Sequence, residues 1–316
     1  MYDVVIIGGG PAAVGAAVYA ARKKLKAVLV AKEFGGQSAV SSSIENWIGE
    51  ESISGFDLAG KLERHLRAQK GIEIISGELA TKVSEISGGF KVDTDQGKAL
   101  ETKTVVLASG SRRRRLGIPG EAKFEGKGVV FCATCDAPLF QDKTVAVVGG
   151  GNAGLESVVD LSSYAKKIYL IVRGDILKGD QITQDEVKGN AKVEIIYGAL
   201  PEEVLGDQFV VGLRYKNKNS GETKDLAVDG VFVEIGAVPN SEIVKGLVEM
   251  NQSNEVIIDH KTGATSKPGI FAAGDVTDEI YKQNNISVGD AVKAALSAYN
   301  YILGMHRRSP AEEKSV

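Results

Sequence analysis

The chain alternates short apolar runs with amphipathic or polar stretches, and that alternation predicts an α/β fold. Val4-Val5-Ile6-Ile7 is apolar and mostly β-branched, the pattern of a parallel strand buried on both faces. A helical stretch to Arg22 follows, then a second apolar run at Ala27-Val28-Leu29-Val30. Residues 57–70 read as an amphipathic helix, and 72–77 and 81–94 as strands of a small antiparallel layer broken at Gly88-Gly89. Residues 104–110 form a strand ending in small residues. The strand-then-helix pattern restarts at Thr144-Val145-Ala146-Val147-Val148, with a helix to about Tyr164 and a strand at 168–172. Residues 192–197, 210–217 and 225–228 look like one strand group. Strands at 231–236, 256–259 and 270–276 and a helix at 290–303 complete the prediction. The tail after Gly304 is polar, charged and expected to fray.

Composition adds bounds. With 316 residues, 43% of them hydrophobic, the chain has material for two cores. A formal net charge of −3 gives no sign of a nucleic-acid or polyanion partner. No apolar run reaches the roughly 20 residues that span a bilayer. Met1-Tyr2-Asp3 leads straight into the first strand with no basic segment before it, so the expectation is a cytoplasmic, reducing location.

Between the first strand and helix stands Gly8-x-Gly10-x-x-Ala13. This is the dinucleotide fingerprint: Gly8 for the tight turn, Gly10 for close approach of a pyrophosphate to the helix N-terminus, and a small residue at 13. After the second strand the only acid placed to meet a ribose is Glu33, with Lys32 intervening. A second motif, Gly149-x-Gly151-x-x-Gly154, lies between the strand and helix of the repeat. Two such motifs imply two dinucleotides; if the chain's two cysteines, Cys132 and Cys135, act as a redox pair, the natural two are FAD and a nicotinamide nucleotide. Arg112 to Arg115 are four consecutive arginines between the two halves. They read as a solvated linker, with an electropositive rim for an acidic partner as the alternative. Ala237-Val238-Pro239-Asn240 reads as the crossing back.

The chain has two cysteines, Cys132 and Cys135, in Cys-Ala-Thr-Cys-Asp. One thiol of such a pair is commonly a nucleophile near neutral pH, and Asp136 stands next to it for proton transfer. Zinc needs about four ligands, and His65, His260 and His306 are all remote in sequence. Half a zinc site, two buried cysteines and a structural disulfide are the other readings of the pair; no metal is expected.

Taken together, Gly8-x-Gly10-Pro11-Ala12, Gly35-Gly36-Gln37, Glu45-Asn46-Trp47, Cys132-Ala133-Thr134-Cys135-Asp136, Gly149 to Gly154 and Ala272-Ala273-Gly274-Asp275-Val276 resemble the low-molecular-weight thioredoxin reductases over nearly the whole chain. Tyr281-Lys282-Gln283 also matches, and looks closest to the flavoprotein component of alkyl hydroperoxide reductase. The resemblance implies two doubly wound, Rossmann-like nucleotide-binding domains. The FAD domain would be 1–112 with 241–316, and the inserted nicotinamide domain, carrying the cysteines, 113–240. It implies FAD ligands at Gly8, Gly10, Pro11 and Ala12 for the pyrophosphate, and Gly36, Gln37, Asn46, Gly274, Asp275, Lys282 and Gln283 around the flavin end. It implies Gly149, Gly151, Asn152, Ala153, Gly154, Arg173 and Lys178 for the nicotinamide nucleotide. Electrons would pass from NAD(P)H through FAD to the disulfide, with Cys135 facing the flavin, Cys132 attacking a protein disulfide and Asp136 supplying the proton. The implied partner is thioredoxin or a glutaredoxin-like protein, and the implied assembly a homodimer whose domains rotate during turnover. Lys127 falls where relatives often hold a basic thioredoxin contact, with an ordinary solvated lysine as the other reading.

Two departures matter. NADPH-using relatives carry His-Arg-Arg and a further arginine where this chain has Val172, Arg173, Gly174 and Lys178. No acid replaces the histidine, so the balance leans to NADH or dual use. Asp136-Ala137-Pro138 stands where Asp-Gly is common, and Pro138 stiffens that turn. The competing readings are a dithiol oxidase, a ferredoxin-fed reductase, and a non-catalytic NAD(H)-sensing flavoprotein.

Overall fold

The structure is a computed structural model that describes residues 1–41 and 44–308. Strand β1 (Tyr2–Ile7) runs into helix α1 (Pro11–Arg22), then β2 (Ala27–Ala31), helix α2 (Gly55–Arg67) and β3 (Ile72–Ser76). An antiparallel meander, β4 (Ala80–Ile86) and β5 (Gly89–Thr94), leads back into β6 (Ala99–Leu107). The chain leaves this unit along β7 (Ser111–Arg113).

The second unit holds β8 (Val129–Val130), the single turn α3 (Ala133–Asp136), β9 (Thr144–Val148), α4 (Asn152–Ser162), β10 (Lys167–Val172), α5 (Gln181–Gly189) and β11 (Val193–Tyr197). Three antiparallel strands follow, β12 (Ala199–Gly206), β13 (Val210–Asn217) and β14 (Thr223–Ala227), then β15 (Gly230–Val233). The chain returns along β16 (Ala237–Pro239), which pairs with β7. The first unit closes with β17 (Ile258–Asp259), β18 (Ala264–Thr265), β19 (Ile270–Ala272) and the long helix α6 (Asn284–Arg308).

Contacts divide the chain into one unit of Met1–Ala39, Trp47–Arg112 and the segment from Val238 on, and a second of Val40–Asn46 and Arg113–Ala237. In the first, β19, β6, β1, β2 and β3 lie side by side and parallel. Alternation along β1 splits its side chains between two cores. Val4 and Ile6 pack with α1, α6 and Leu66 of α2, while Val5 and Ile7 pack with Val83, Phe90 and Val92 of the meander. Each strand is therefore apolar on both faces, which is why the runs read as continuous rather than alternating. In the second unit β11, β10, β9, β15 and β8 are all parallel. Val145 and Val147 face α4 and α5, and Ala146 and Val148 face the antiparallel layer through Val204, Leu213 and Tyr215.

The α/β reading with two parallel-sheet units holds. Strand 192–197 does not belong with 210–217 as expected; it is β11, the edge of the parallel sheet. Its place beside β13 is taken by β12, which the sequence hid behind Pro201, Glu202 and Glu203. The last helix starts at Asn284 rather than at 290 and continues past Gly304 to Arg308. The rest of the expected fraying tail, and Ser42 and Ser43 of the serine-rich loop, lie outside the described residues.

Candidate functional site

Both glycine motifs open a helix whose first turn has no side-chain cap and no acidic residue, so backbone N–H groups are left for a ligand. The glycines divide by role. Gly8 has φ +130°, and a Cβ on it would stand 2.1 Å from the Ala108 carbonyl oxygen. Gly149 repeats this with φ +148° and 2.2 Å to the Glu234 carbonyl oxygen. In each unit the first glycine lets the turn pass under the end of a neighbouring parallel strand. Gly154 would place a Cβ 2.1 Å from the Gly149 carbonyl, so it sets helix against turn. Gly10 and Gly151 are different. Both are extended. A Cβ on Gly10 meets only Gly36 Cα, at 3.8 Å, and one on Gly151 meets nothing within 4 Å among the described residues. Each opens a space beside a helix N-terminus.

In the first unit Gly36 backs onto Gly10, 3.3 Å from its would-be Cβ to Gly10 Cα. Gln37 follows, donating through Nε2 to Ser111 Oγ at 3.0 Å and to Asp275 Oδ2 at 3.1 Å. Its Oε1 is buried and has no hydrogen-bond partner among the described residues. A buried orphan acceptor is costly unless a donor meets it. Gly274 packs against Ala12, 3.1 Å from its would-be Cβ to Ala12 Cβ. Thus Gly8, Gly10, Pro11, Ala12, Gly36, Gln37, Gly274 and Asp275 are brought together by the β1–α1 turn, the 36–40 turn and the end of β19. An open pyrophosphate cradle with an orphan acceptor nearby fits FAD. Lys282 is otherwise engaged: its ammonium lies 2.5 Å from the Thr277 carbonyl and 2.9 Å from Glu255. The Gln283 amide bonds the Tyr281 carbonyl at 3.0 Å, which shapes the entry to α6. Asn46 groups with the second unit and is exposed.

In the second unit the open face of Gly151 and the uncapped α4 fit a second dinucleotide. Asn152 has a structural task as well: its Oδ1 accepts the Asp180 N–H at 2.8 Å and so closes the 173–180 loop. The Lys178 amide donates to the Gly150 carbonyl at 2.7 Å. Val172 is a core residue, packed where a Cβ on Gly150 would lie 2.8 Å from Val172 Cγ1. It does not face solvent as a phosphate ligand would. Arg173 and Lys178 are exposed, whereas Asp175 is paired with Lys218 at 2.9 Å.

Cys132 and Cys135 form a disulfide. Cys132 caps α3, and the Asp136 N–H closes the turn on the Cys132 carbonyl at 3.1 Å. Thr134 ties the turn to α4 through Asp160, at 2.8 Å. Both cysteines are half-buried; Asp136 is buried, and burial, partly offset by Arg113, pushes its carboxyl from 3.8 up to about 6. A carboxyl raised this far is still partly protonated at mildly acidic pH and can exchange a proton with a thiol. The arginine run is not an uncommitted rim. Arg112 pairs with Glu242 at 2.5 Å, and Arg115 with Glu125 at 2.7 Å while stacking over Phe131.

Glu234 and Ser157 had no functional reading in the sequence, and Arg113 was read only as part of the arginine run. Glu234, just past β15, accepts the Ala133 N–H at 3.2 Å. Burial pushes it up to about 7, opposed by Arg113, by the Ser157 hydroxyl and by the Ala133 amide. The signal was present: an acid at the carboxyl end of an otherwise apolar parallel strand, in Val231-Phe232-Val233-Glu234. Ser157 carried no comparable mark.

Two dinucleotide cradles and a disulfide beside a buried acid define a nicotinamide-dependent disulfide oxidoreductase fold. The family described as pyridine nucleotide-disulphide oxidoreductase matches residues 2–295, and the chain belongs to it. That family implies FAD and a nicotinamide nucleotide. The chain is 41% identical over 302 residues to a Bacillus subtilis protein named NADH dehydrogenase, covering 96% of this chain and 59% of that one. It is 42% identical over 302 residues to an alkyl hydroperoxide reductase component of Staphylococcus aureus, with the same coverage. It thus spans 59% of the length of these curated relatives. The solved thioredoxin reductase of Streptococcus pyogenes superposes with a TM-score of 0.89 at 36% identity, covering 96% of this chain and 99% of that one. Among the described residues no helix is long and apolar enough to cross a membrane.

Proposed function

We propose that this chain passes electrons from NADH, or from either nicotinamide nucleotide, through FAD to the Cys132–Cys135 disulfide and on to a protein disulfide. The observation that carries the reading is the disulfide itself, half-exposed and beside a buried acid, in a chain with two dinucleotide cradles. FAD, when bound, would supply the two-electron link between nicotinamide and disulfide. Gly8, Gly10, Pro11, Ala12, Gly36 and Gln37 would hold it, and Gly149, Gly151, Ala153 and Gly154 the nicotinamide nucleotide. Asp136 holds a proton for the departing thiolate, and Cys132 attacks the partner. The partner class is thioredoxin or a glutaredoxin-like protein, as the structural likeness supports. A peroxiredoxin-type partner is the second reading, supported by the likeness to the alkyl hydroperoxide reductase component. A cytoplasmic homodimer belongs to the same proposal.

The test is NADH-driven reduction of an added thioredoxin disulfide, with Cys132→Ser and Cys135→Ser as controls. Both variants should retain FAD and lose disulfide reduction. Turnover surviving both changes would refute the assignment.

A further inference from the structure

Glu234 directly follows β15, 9% exposed, after Val231, Phe232 and Val233, all of them core. A carboxylate is costly in such a place unless it is held. Its Oε1 accepts the N–H of Ala133, the residue that follows Cys132 and lies between the two sulfurs, at 3.2 Å. The Ser157 side chain of α4 hydrogen-bonds it. Its own amide donates to the Val148 carbonyl at 2.9 Å, and its carbonyl lies under Gly149. Its main chain is held by the strand end and its side chain by Ala133 and Ser157. The charged groups facing it are Asp136 on α3 and Arg113 at the end of β7.

We propose that Glu234 is a positioning residue for the Cys132–Cys135 couple: it fixes the turn between the sulfurs through the Ala133 amide, and its charge sets how readily the reduced pair ionises. The inference rests on reading the pair as the redox couple. An ionised Glu234 engages an N–H at the start of α3 that would otherwise favour a thiolate there. It also adds a like charge beside that thiolate. Both effects hold thiol ionisation back. A protonated Glu234 adds no charge. Its carboxyl is pushed up to about 7, so the change falls near neutral pH. Above that pH the anion restrains the thiol, and below it the restraint is lifted.

The test uses the full, FAD-loaded protein, reduced anaerobically with dithiothreitol, desalted, and alkylated with iodoacetamide from about pH 5 to about pH 10. The thiol gives its proton to the buffer, the thiolate sulfur bonds carbon, and iodide leaves; mass spectrometry follows Cys132 and Cys135 separately. Glu234→Gln keeps an acceptor for the Ala133 amide and removes the charge. It should raise the rate of the faster cysteine by up to roughly tenfold, equal to about one pKa unit, at pH values above the Glu234 range and below the thiol's own pKa, and by only about twofold near pH 7. The wild-type rate should climb less steeply as pH crosses the Glu234 range, whereas Glu234→Gln should climb tenfold per pH unit up to the thiol's own pKa. Ser157→Ala, which removes a hydroxyl that favours the anion, should move the profile the same way by a smaller factor. Profiles of both variants superposing on wild type would overturn the proposal, and the Ser157→Ala profile decides it alone if Glu234→Gln does not fold. No nicotinamide nucleotide or partner protein enters the measurement, so its failure is distinct from a failure to reduce thioredoxin.

Discussion

The two glycines of the first motif should respond in opposite ways to the same methyl group. Gly8→Ala puts a Cβ 2.1 Å from the Ala108 carbonyl oxygen at φ +130°. Backbone strain of about 1–3 kcal/mol and overpacking of about 1–3 kcal/mol sum to roughly 2–6 kcal/mol. At about 2–4 °C per kcal/mol for a unit of this size, the apoprotein should melt roughly 5–20 °C lower. Gly10→Ala has φ −78° and ψ −177°, and its new methyl meets only Gly36 Cα at 3.8 Å. The backbone is one that alanine adopts freely, so lost freedom in the unfolded chain should leave the apoprotein about 0.4–1 kcal/mol more stable. That methyl nevertheless occupies the cradle. The FAD dissociation constant should rise at least tenfold, about 1.4 kcal/mol. Thermal melts of the apoproteins and FAD titration by fluorescence quenching give both numbers. Wild-type FAD affinity in Gly10→Ala would refute the placement of the pyrophosphate over this amide, and a Gly10→Ala melt as low as that of Gly8→Ala would refute the division of roles.

Asp136 carries a pH dependence of defined sign. Its folded pKa, about 6, lies above 3.8, so its contribution to stability is present below about pH 4 and lost as pH rises through 6. Asp136→Asn should therefore be more stable than wild type at pH 8 by up to about 3 kcal/mol, with the gain vanishing near pH 4, as read by urea denaturation. Nucleotide choice is expected to favour NADH because Val172 is committed to the core. Gly174→Arg, which adds a guanidinium beside Arg173, should raise kcat/KM for NADPH by roughly tenfold and leave that for NADH within about twofold; an unchanged ratio would remove the 173–178 loop from the 2′-phosphate.

The parallel strands and both glycine turns were legible because their signals are local: an apolar run, then glycines at fixed offsets, then a helix. Their division of labour was legible in outline, Gly8 for the turn and Gly10 for the ligand, but the carbonyl that enforces it, Ala108 or Glu234, comes from far along the chain and was not. Strand β12 was hidden because Pro201 and two glutamates mask its alternation, and its register with β13 is broken between Pro201 and Glu203. Helix α5, Gln181–Gly189, was missed because it buries only Val187 fully. At the site, Cys132, Cys135 and Asp136 were legible as a contiguous motif. Glu234, about a hundred residues on, enters only because β15 lies beside β9 and brings it to α3. Lys282 shows the converse: its motif match did not show that Glu255 and Thr277 hold its ammonium.

The central claim is that nicotinamide electrons reach the Cys132–Cys135 disulfide, and counting thiols tests it most directly. The FAD-loaded protein is mixed anaerobically with NADH, quenched in acid, and labelled with a thiol reagent. Two new thiols per chain, at Cys132 and Cys135, should appear with NADH and be absent without it. Flavin reduction with no thiol appearing would contradict it, and would leave a flavoprotein whose disulfide takes no part in electron transfer.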